Sequence, residues 1–182
     1  MQDPNPKVSG HGLQQLRNAG IHVEVGLLES QAHALNPGFI KRMQTGRPYV
    51  RNKLAMSLDG RTAMADGTSK WITSEAARAD VQRLRARSSA ILTGVGTVII
   101  DDPSLTVRLE QEVIQPLRVI VDTYLSTPTK ARILQAPGQT LIMTCSDDHD
   151  ALELLQNVGA QVVQLPRKGN FVNLDALLLK LG

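Results

Sequence analysis

Leu117-Arg118-Val119-Ile120-Val121-Asp122 is a run of aliphatic and β-branched residues closed by an acid, and its reading decides the fold. Its length and composition fit a short buried strand. Two runs of the same kind flank it, Ala90-Ile91-Leu92-Thr93 upstream and Thr140-Leu141-Ile142-Met143-Thr144 downstream. A helical pattern over 74–87 precedes the first, with Thr73 or Ser74 able to cap it and Glu75 in its first turn. Further on, 151–158 reads as helix, Gln161-Val162-Val163-Gln164 as strand and 174–181 as helix. Strands alternating with helices predict an α/β domain with a largely parallel sheet.

Toward the N-terminus, Tyr49-Val50-Arg51-Asn52-Lys53-Leu54-Ala55-Met56-Ser57 reads as one more strand. Gly46 and Pro48 separate it from a different texture. The turn Asp3-Pro4-Asn5-Pro6 opens the chain, and a short helix through Val8, Leu13, Leu16 and Ala19 ends at Gly20. Ile21-His22-Val23-Glu24-Val25 alternates as a strand does. A second helix runs from near Glu29 through Met43, and Pro37 kinks or restarts it. The chain starts at a turn and stops inside a helical pattern. Both ends therefore read as cuts within longer domains, and since a helix-strand unit at 8–25 cannot bury its faces by itself, the first 45 residues read as part of a neighbouring fold.

Of 182 residues, 42% are apolar and 20% charged, which is a globular balance. The single cysteine, Cys145, excludes an internal disulfide framework and a multi-cysteine zinc site. No apolar run approaches the roughly 20 residues of a membrane span, and the first ten residues lack signal-peptide order. A cytoplasmic setting is the expectation. Basic residues outnumber acidic ones by seven to three in 1–55 and are balanced elsewhere. With aromatics at 3% of the chain, this argues against a nucleic-acid-binding surface. The histidines His11, His22, His33 and His149 form no ligand pair, so no stoichiometric zinc is expected.

Several polar stretches are able to carry chemistry. Asp59-Gly60 in Ser57-Leu58-Asp59-Gly60-Arg61 signals a turn after a strand. Trp71, the only tryptophan, is either a core anchor or a flat wall for a ring, and Ser69 beside it either bonds a ligand or caps a turn. At about 100° per residue, Val81 and Leu84 mark the buried stripe of the helix, with Arg83 and Arg87 facing water. Arg85 falls at the rim, where a cation pairs with Asp59 or Asp80 or binds an anion. Gly94-Val95-Gly96 follows a strand and suits a backbone approach to pyrophosphate, although Ile99 replaces the third glycine of a dinucleotide fingerprint. Asp101 is a turn residue or a ligand acceptor, Arg108 a solvated charge or a phosphate ligand, and Cys145 a core residue.

Taken together, five stretches resemble the bifunctional riboflavin-biosynthesis deaminase/reductase family at the join of its two domains. They are Met1-Gln2-Asp3-Pro4-Asn5-Pro6, Lys53-Leu54-Ala55-Met56-Ser57-Leu58-Asp59-Gly60-Arg61-Thr62-Ala63, Trp71-Ile72-Thr73-Ser74, Ala90-Ile91-Leu92-Thr93-Gly94 and Asp101-Asp102-Pro103-Ser104-Leu105-Thr106-Val107-Arg108. The resemblance implies an incomplete dihydrofolate-reductase-like reductase domain over 47–182. Residues 1–46 would be the C-terminal remnant of a cytidine-deaminase-like αβα domain with its connecting helix. The deaminase's zinc motifs are absent, so zinc is expected only in the missing deaminase part, and the reductase's Glu-Gly-Gly-type loop would lie beyond Gly182. Also implied is hydride transfer from NADPH to the ribosyl carbon of a phosphoribosylaminouracil. Lys53 matches the catalytic position, and Ser69, Arg85, Leu105 and Arg108 match substrate-binding positions. Ala55, Trp71, Thr97, Asp101 and Thr123 match cofactor-binding positions. A homodimer is the assembly implied. The rival readings are a fragment that binds nucleotide without turnover and a non-catalytic interaction module.

Overall fold

A computed structural model describes residues 1–182, which form two compact units. One unit comprises Met1–Asn52 with Leu174–Gly182, and the other Lys53–Asn173.

The first unit is helical: α1 (His11–Asn18), α2 (Glu29–Leu35), α3 (Pro37–Thr45) and, from the chain's other end, α8 (Leu174–Leu181). Pro37 restarts the helix rather than kinking it, because its fixed φ suits a first helical position. Gly46, at φ 64°, ends α3 in the left-handed conformation that a side chain disfavours. Arg47 bonds Asp175 at 3.3 Å across 128 positions, an exposed pair worth little by itself. The strand expected at 21–25 does not form. Its alternation is real, but Ile21 and Val25 are exposed and no ladder partner meets them.

The second unit carries the sheet. Its elements run α4 (Glu75–Ala86), β1 (Ala90–Gly94), α5 (Val95–Asp101), β2 (Leu117–Val121), α6 (Arg132–Gln135), β3 (Thr140–Thr144), α7 (His149–Asn157) and β4 (Gln161–Gln164). A small hairpin, β5 (Arg167–Lys168) with β6 (Phe171–Val172), closes the series. The four long strands pair in parallel in the order β1-β2-β3-β4, as the alternating pattern predicts. Gly94, Val121 and Met143 lie level across the register, so the strands' carboxyl ends share one edge.

On one sheet face, Ile120 and Ile142 stand side by side in register and pack with Val98, Leu125, Ile133 and Leu155. Burying each such aliphatic side chain stabilises by roughly 1.5–3 kcal/mol. Two helix starts are fixed by side-chain caps: Ser74 Oγ accepts from the Ala77 N–H at 3.3 Å, and Asp148 Oδ1 from the Ala151 N–H at 3.0 Å. No helix is long and apolar enough to cross a membrane.

Two further expectations fail. Residues 49–57 are not a strand. Leu54 and Met56, 65% and 54% exposed, lie outside the sheet, and β1 pairs with β2 alone. Gly94-Val95-Gly96 is not a loop either. α5 starts at Val95, directly after β1, and Gly94 holds an ordinary extended backbone at φ −84°. Gly96 is a helical residue, so the pair forms no phosphate-wrapping turn.

Candidate functional site

Helix α4 organises the polar groups. Arg78, Gln82 and Arg85 fall within one sector of its surface at 100° per residue. Arg83 and Arg87 are exposed, as projected, and Arg85 is half-buried. Neither carboxylate considered as its partner reaches it. Asp80 pairs with Arg83 at 3.4 Å and Asp59 with Arg61 at 3.0 Å, each drawn to the nearer guanidinium. Arg85 Nη1 instead donates to the Thr106 carbonyl at 3.2 Å. Burial pulls its pKa below the ordinary arginine value, and the positive charge of Arg108 pulls it further. Arg85 thus lies near enough to Arg108 to feel its charge, and no carboxylate pairs with either guanidinium.

Arg108 projects from the segment 105–108, whose shape is imposed from both sides. Asp102 and Leu105 hold left-handed backbones at φ 40° and 50°. Asp102 Oδ1 accepts from the Arg132 N–H at 2.8 Å, so Asp102, and not Asp101, is the turn residue of this stretch. Val107 is buried, and Gln115 and Gln82 bond the backbone of Val107 and Arg108.

Trp71 is 70% exposed, so it is no core anchor. One ring face lies 4.5 Å from the Arg78 guanidinium, which donates to the Thr73 carbonyl at 2.7 Å. A cation over an indole face holds the ring in place. The ring is still largely exposed with that cation in place. Ser69 is half-buried two residues earlier.

The remaining residues divide between sheet edge and surface. Thr97 and Asp101 are exposed on α5, which follows β1, and Thr123 follows the end of β2. The Thr123 carbonyl accepts from Thr144 Oγ1 at 3.2 Å, with the buried Cys145 Sγ at 3.8 Å. Asp122, fully buried, accepts from the N–H groups of Ser126 and Thr127 at 2.9 and 2.7 Å and from Thr127 Oγ1 at 2.7 Å. That carboxylate fixes the loop that carries Thr123. Lys53 is exposed and Ala55 half-buried in the extended run before the Ser57–Arg61 turn, with no hydrogen bond linking them to Arg85 or Arg108. The structure therefore brings Arg85 to the segment that carries Leu105 and Arg108 and sets Trp71 against Arg78 of the same helix, while Lys53 and Ala55 stand apart. Arg78, Gln82, Gln115 and Asp122 escaped the sequence reading. The helix projection that singled out Arg85 also places Arg78 beside it, but nothing local marks the other three.

Parallel strands with open carboxyl ends and polar groups gathered along one helix face define this chain as a parallel α/β protein. Residues 48–182 match the RibD C-terminal domain, and the chain belongs to that family. It is 45% identical over 194 residues to the riboflavin biosynthesis protein RibD of Escherichia coli strain K12, covering 100% of this chain and 52% of that protein. Among solved structures, Acinetobacter baumannii RibD, form 1, matches with a TM-score of 0.83 and 47% identity over 99% of this chain and 49% of that one. A Thermotoga maritima protein described as a diaminohydroxyphosphoribosylaminopyrimidine deaminase/5-amino-6-(5-phosphoribosylamino)uracil reductase matches with a TM-score of 0.72 and 35% identity, over 89% of this chain and 51% of that one. The chain spans about half the length of the curated relatives it matches.

Proposed function

We propose that the chain serves riboflavin biosynthesis as the reductase of 5-amino-6-(5-phosphoribosylamino)uracil, in the cytoplasm and within a dihydrofolate-reductase-like domain over 47–182. The observation that carries the reading is Arg85, half-buried, bonded to the Thr106 carbonyl two residues before Arg108, and without a carboxylate partner. A phosphate ester supplies the missing charge and bonds both forks. In this reading Ser69 and Leu105 line the same substrate. The exposed ring of Trp71 suits a flat ring of a nucleotide cofactor, with Ala55, Thr97, Asp101 and Thr123 completing its contacts. NADPH, when bound, supplies the hydride. Lys53 stabilises charge at the reacting sugar, whose ring oxygen departs from the ribosyl carbon and takes up a proton to leave a ribityl chain.

Residues 1–46 read as the end of a deaminase-type domain. The E. coli relative aligns with all of this chain, whereas the C-terminal family match begins at residue 48. Zinc is assigned to the deaminase motifs, which lie outside residues 1–182, and a homodimer is the proposed assembly.

One observation favours a second reading, a chain that binds nucleotide without turnover: the run bearing Lys53 lies outside the sheet. Substrate-dependent NADPH oxidation, assayed beside NADPH binding, separates the two. Oxidation lost in Lys53→Ala supports the reductase. Binding without oxidation supports the second reading, and absence of both overturns each.

A further inference from the structure

The segment 105–108 has no strand beside it, yet side chains tie its backbone at three consecutive residues. Arg85 Nη1 bonds the Thr106 carbonyl at 3.2 Å. Gln115 makes a two-way bond with Val107, accepting from its N–H at 2.8 Å and donating to its carbonyl at 3.1 Å. Gln82 Oε1 accepts from the Arg108 N–H at 3.0 Å. A carboxamide carries the same donor and acceptor as a peptide unit, so Gln115 does for Val107 what a neighbouring strand would do. Gln82 and Arg85 are three residues apart on α4, the spacing that puts two side chains on the same helix surface.

These ties answer a physical need. Neighbouring guanidinium groups repel, and a freely moving 105–108 would let Arg108 swing away from Arg85. We propose that Gln115 and Gln82 are positioning residues, which fix the backbone behind Arg108 and so preform the Arg85–Arg108 cradle for the phosphate of a sugar phosphate. The inference rests on the substrate reading above. Gln115 contributes more, since it bonds both polar groups of a buried residue, while Gln82 supplies one bond to an exposed one.

Ribose 5-phosphate is the probe, titrated calorimetrically into the whole chain. Gln115→Ala is expected to weaken binding about tenfold and Gln82→Ala about threefold, because a slightly misplaced group loses most of its effect. Gln115→Glu keeps the acceptor and loses the donor, and falls between wild type and Gln115→Ala. In an Arg108→Ala background, Gln115→Ala should cost nothing further, since its effect passes through Arg108. Merely structural glutamines would give additive losses, and additivity overturns the proposal. Amide exchange of Val107 and Arg108, measured on the same samples, tests the ties without ligand. Faster exchange is expected at Val107 in Gln115→Ala and Gln115→Glu and at Arg108 in Gln82→Ala. Unchanged exchange overturns the ties, and faster exchange with unchanged affinity overturns the positioning role. Failure of the wild type to bind ribose 5-phosphate overturns the substrate reading instead, with the ties still decided by exchange.

Discussion

Arg118 and Arg85 are both withdrawn from water, and both guanidinium groups have their pKa lowered by burial. Arg118 uses its donors within the protein. Its Nε bonds Thr140 Oγ1 at 3.1 Å, Nη1 the Pro137 carbonyl at 2.7 Å, and Nη2 the carbonyls of Ala136 and Gly138 at 3.0 and 2.9 Å. Arg85 bonds one carbonyl and lies within the electrostatic reach of a second cation. Neither region contains a carboxylate for its arginine, yet the first is complete and the second is not. On the function proposed above, the difference separates a charge that holds the fold from one that binds a ligand. Counting satisfied donors tells the two apart where burial alone does not.

The largest effect is expected at the completed site. Arg118→Ala strips three backbone carbonyls and Thr140 of their donor and should destabilise by about 3 kcal/mol or more, read from urea unfolding. A loss below about 1 kcal/mol would erase the distinction between the two arginines. Asp122→Ala should follow at about 2 kcal/mol, since it leaves the buried N–H and hydroxyl of Thr127 without their acceptor, again checked by denaturant midpoint.

Arg85→Ala should do the reverse of Arg118→Ala. Stability shifts by less than about 1 kcal/mol, while ribose 5-phosphate affinity falls at least about tenfold, or about 1.4 kcal/mol. Arg83→Ala, on the exposed side of the same helix, should change neither quantity. Equal losses from both substitutions would break the comparison.

The smallest effect concerns the exposed Arg61. Asp59 titrates below the ordinary aspartate range, chiefly because Ser57 bonds its carboxylate, with a further contribution from Arg61. The folded value lies below the unfolded one, so this contribution is present above the unfolded pKa. It disappears as the pH falls through the lower folded value. An NMR titration of the Asp59 carboxyl should move toward the ordinary range in Ser57→Ala.

The parallel sheet was legible because each of its strands is a short apolar run between helical patterns, and Ala90, Leu117, Thr140 and Gln161 begin strands where the pattern begins. Ser74 as a cap and Arg83 as a solvent-facing charge were legible from local spacing. Residues 21–25 and 49–57 show what periodicity omits. Alternation states that a segment can form a strand, and only a partner's edge makes it one. Gly94 and Gly96 misled because glycine permits a loop without requiring it. Gln82 and Gln115 left no trace in the pattern, since their bonds join residues 26 and 8 positions apart. Arg118 was overlooked inside a β-branched run, although a cation there demands acceptors.

Asp102 and Leu105 place two non-glycine residues in the left-handed region within four positions. Such a backbone costs roughly 1–2 kcal/mol per residue. Leu105 offsets that cost because its side chain packs against the sheet core, where burial contributes roughly 1.5–3 kcal/mol. Leu105→Gly would relieve the backbone and lose the packing, and the freer chain would slacken the stretch that ends in Arg108. The loop's shape is thus underwritten by the core and not by a permissive residue at the bend.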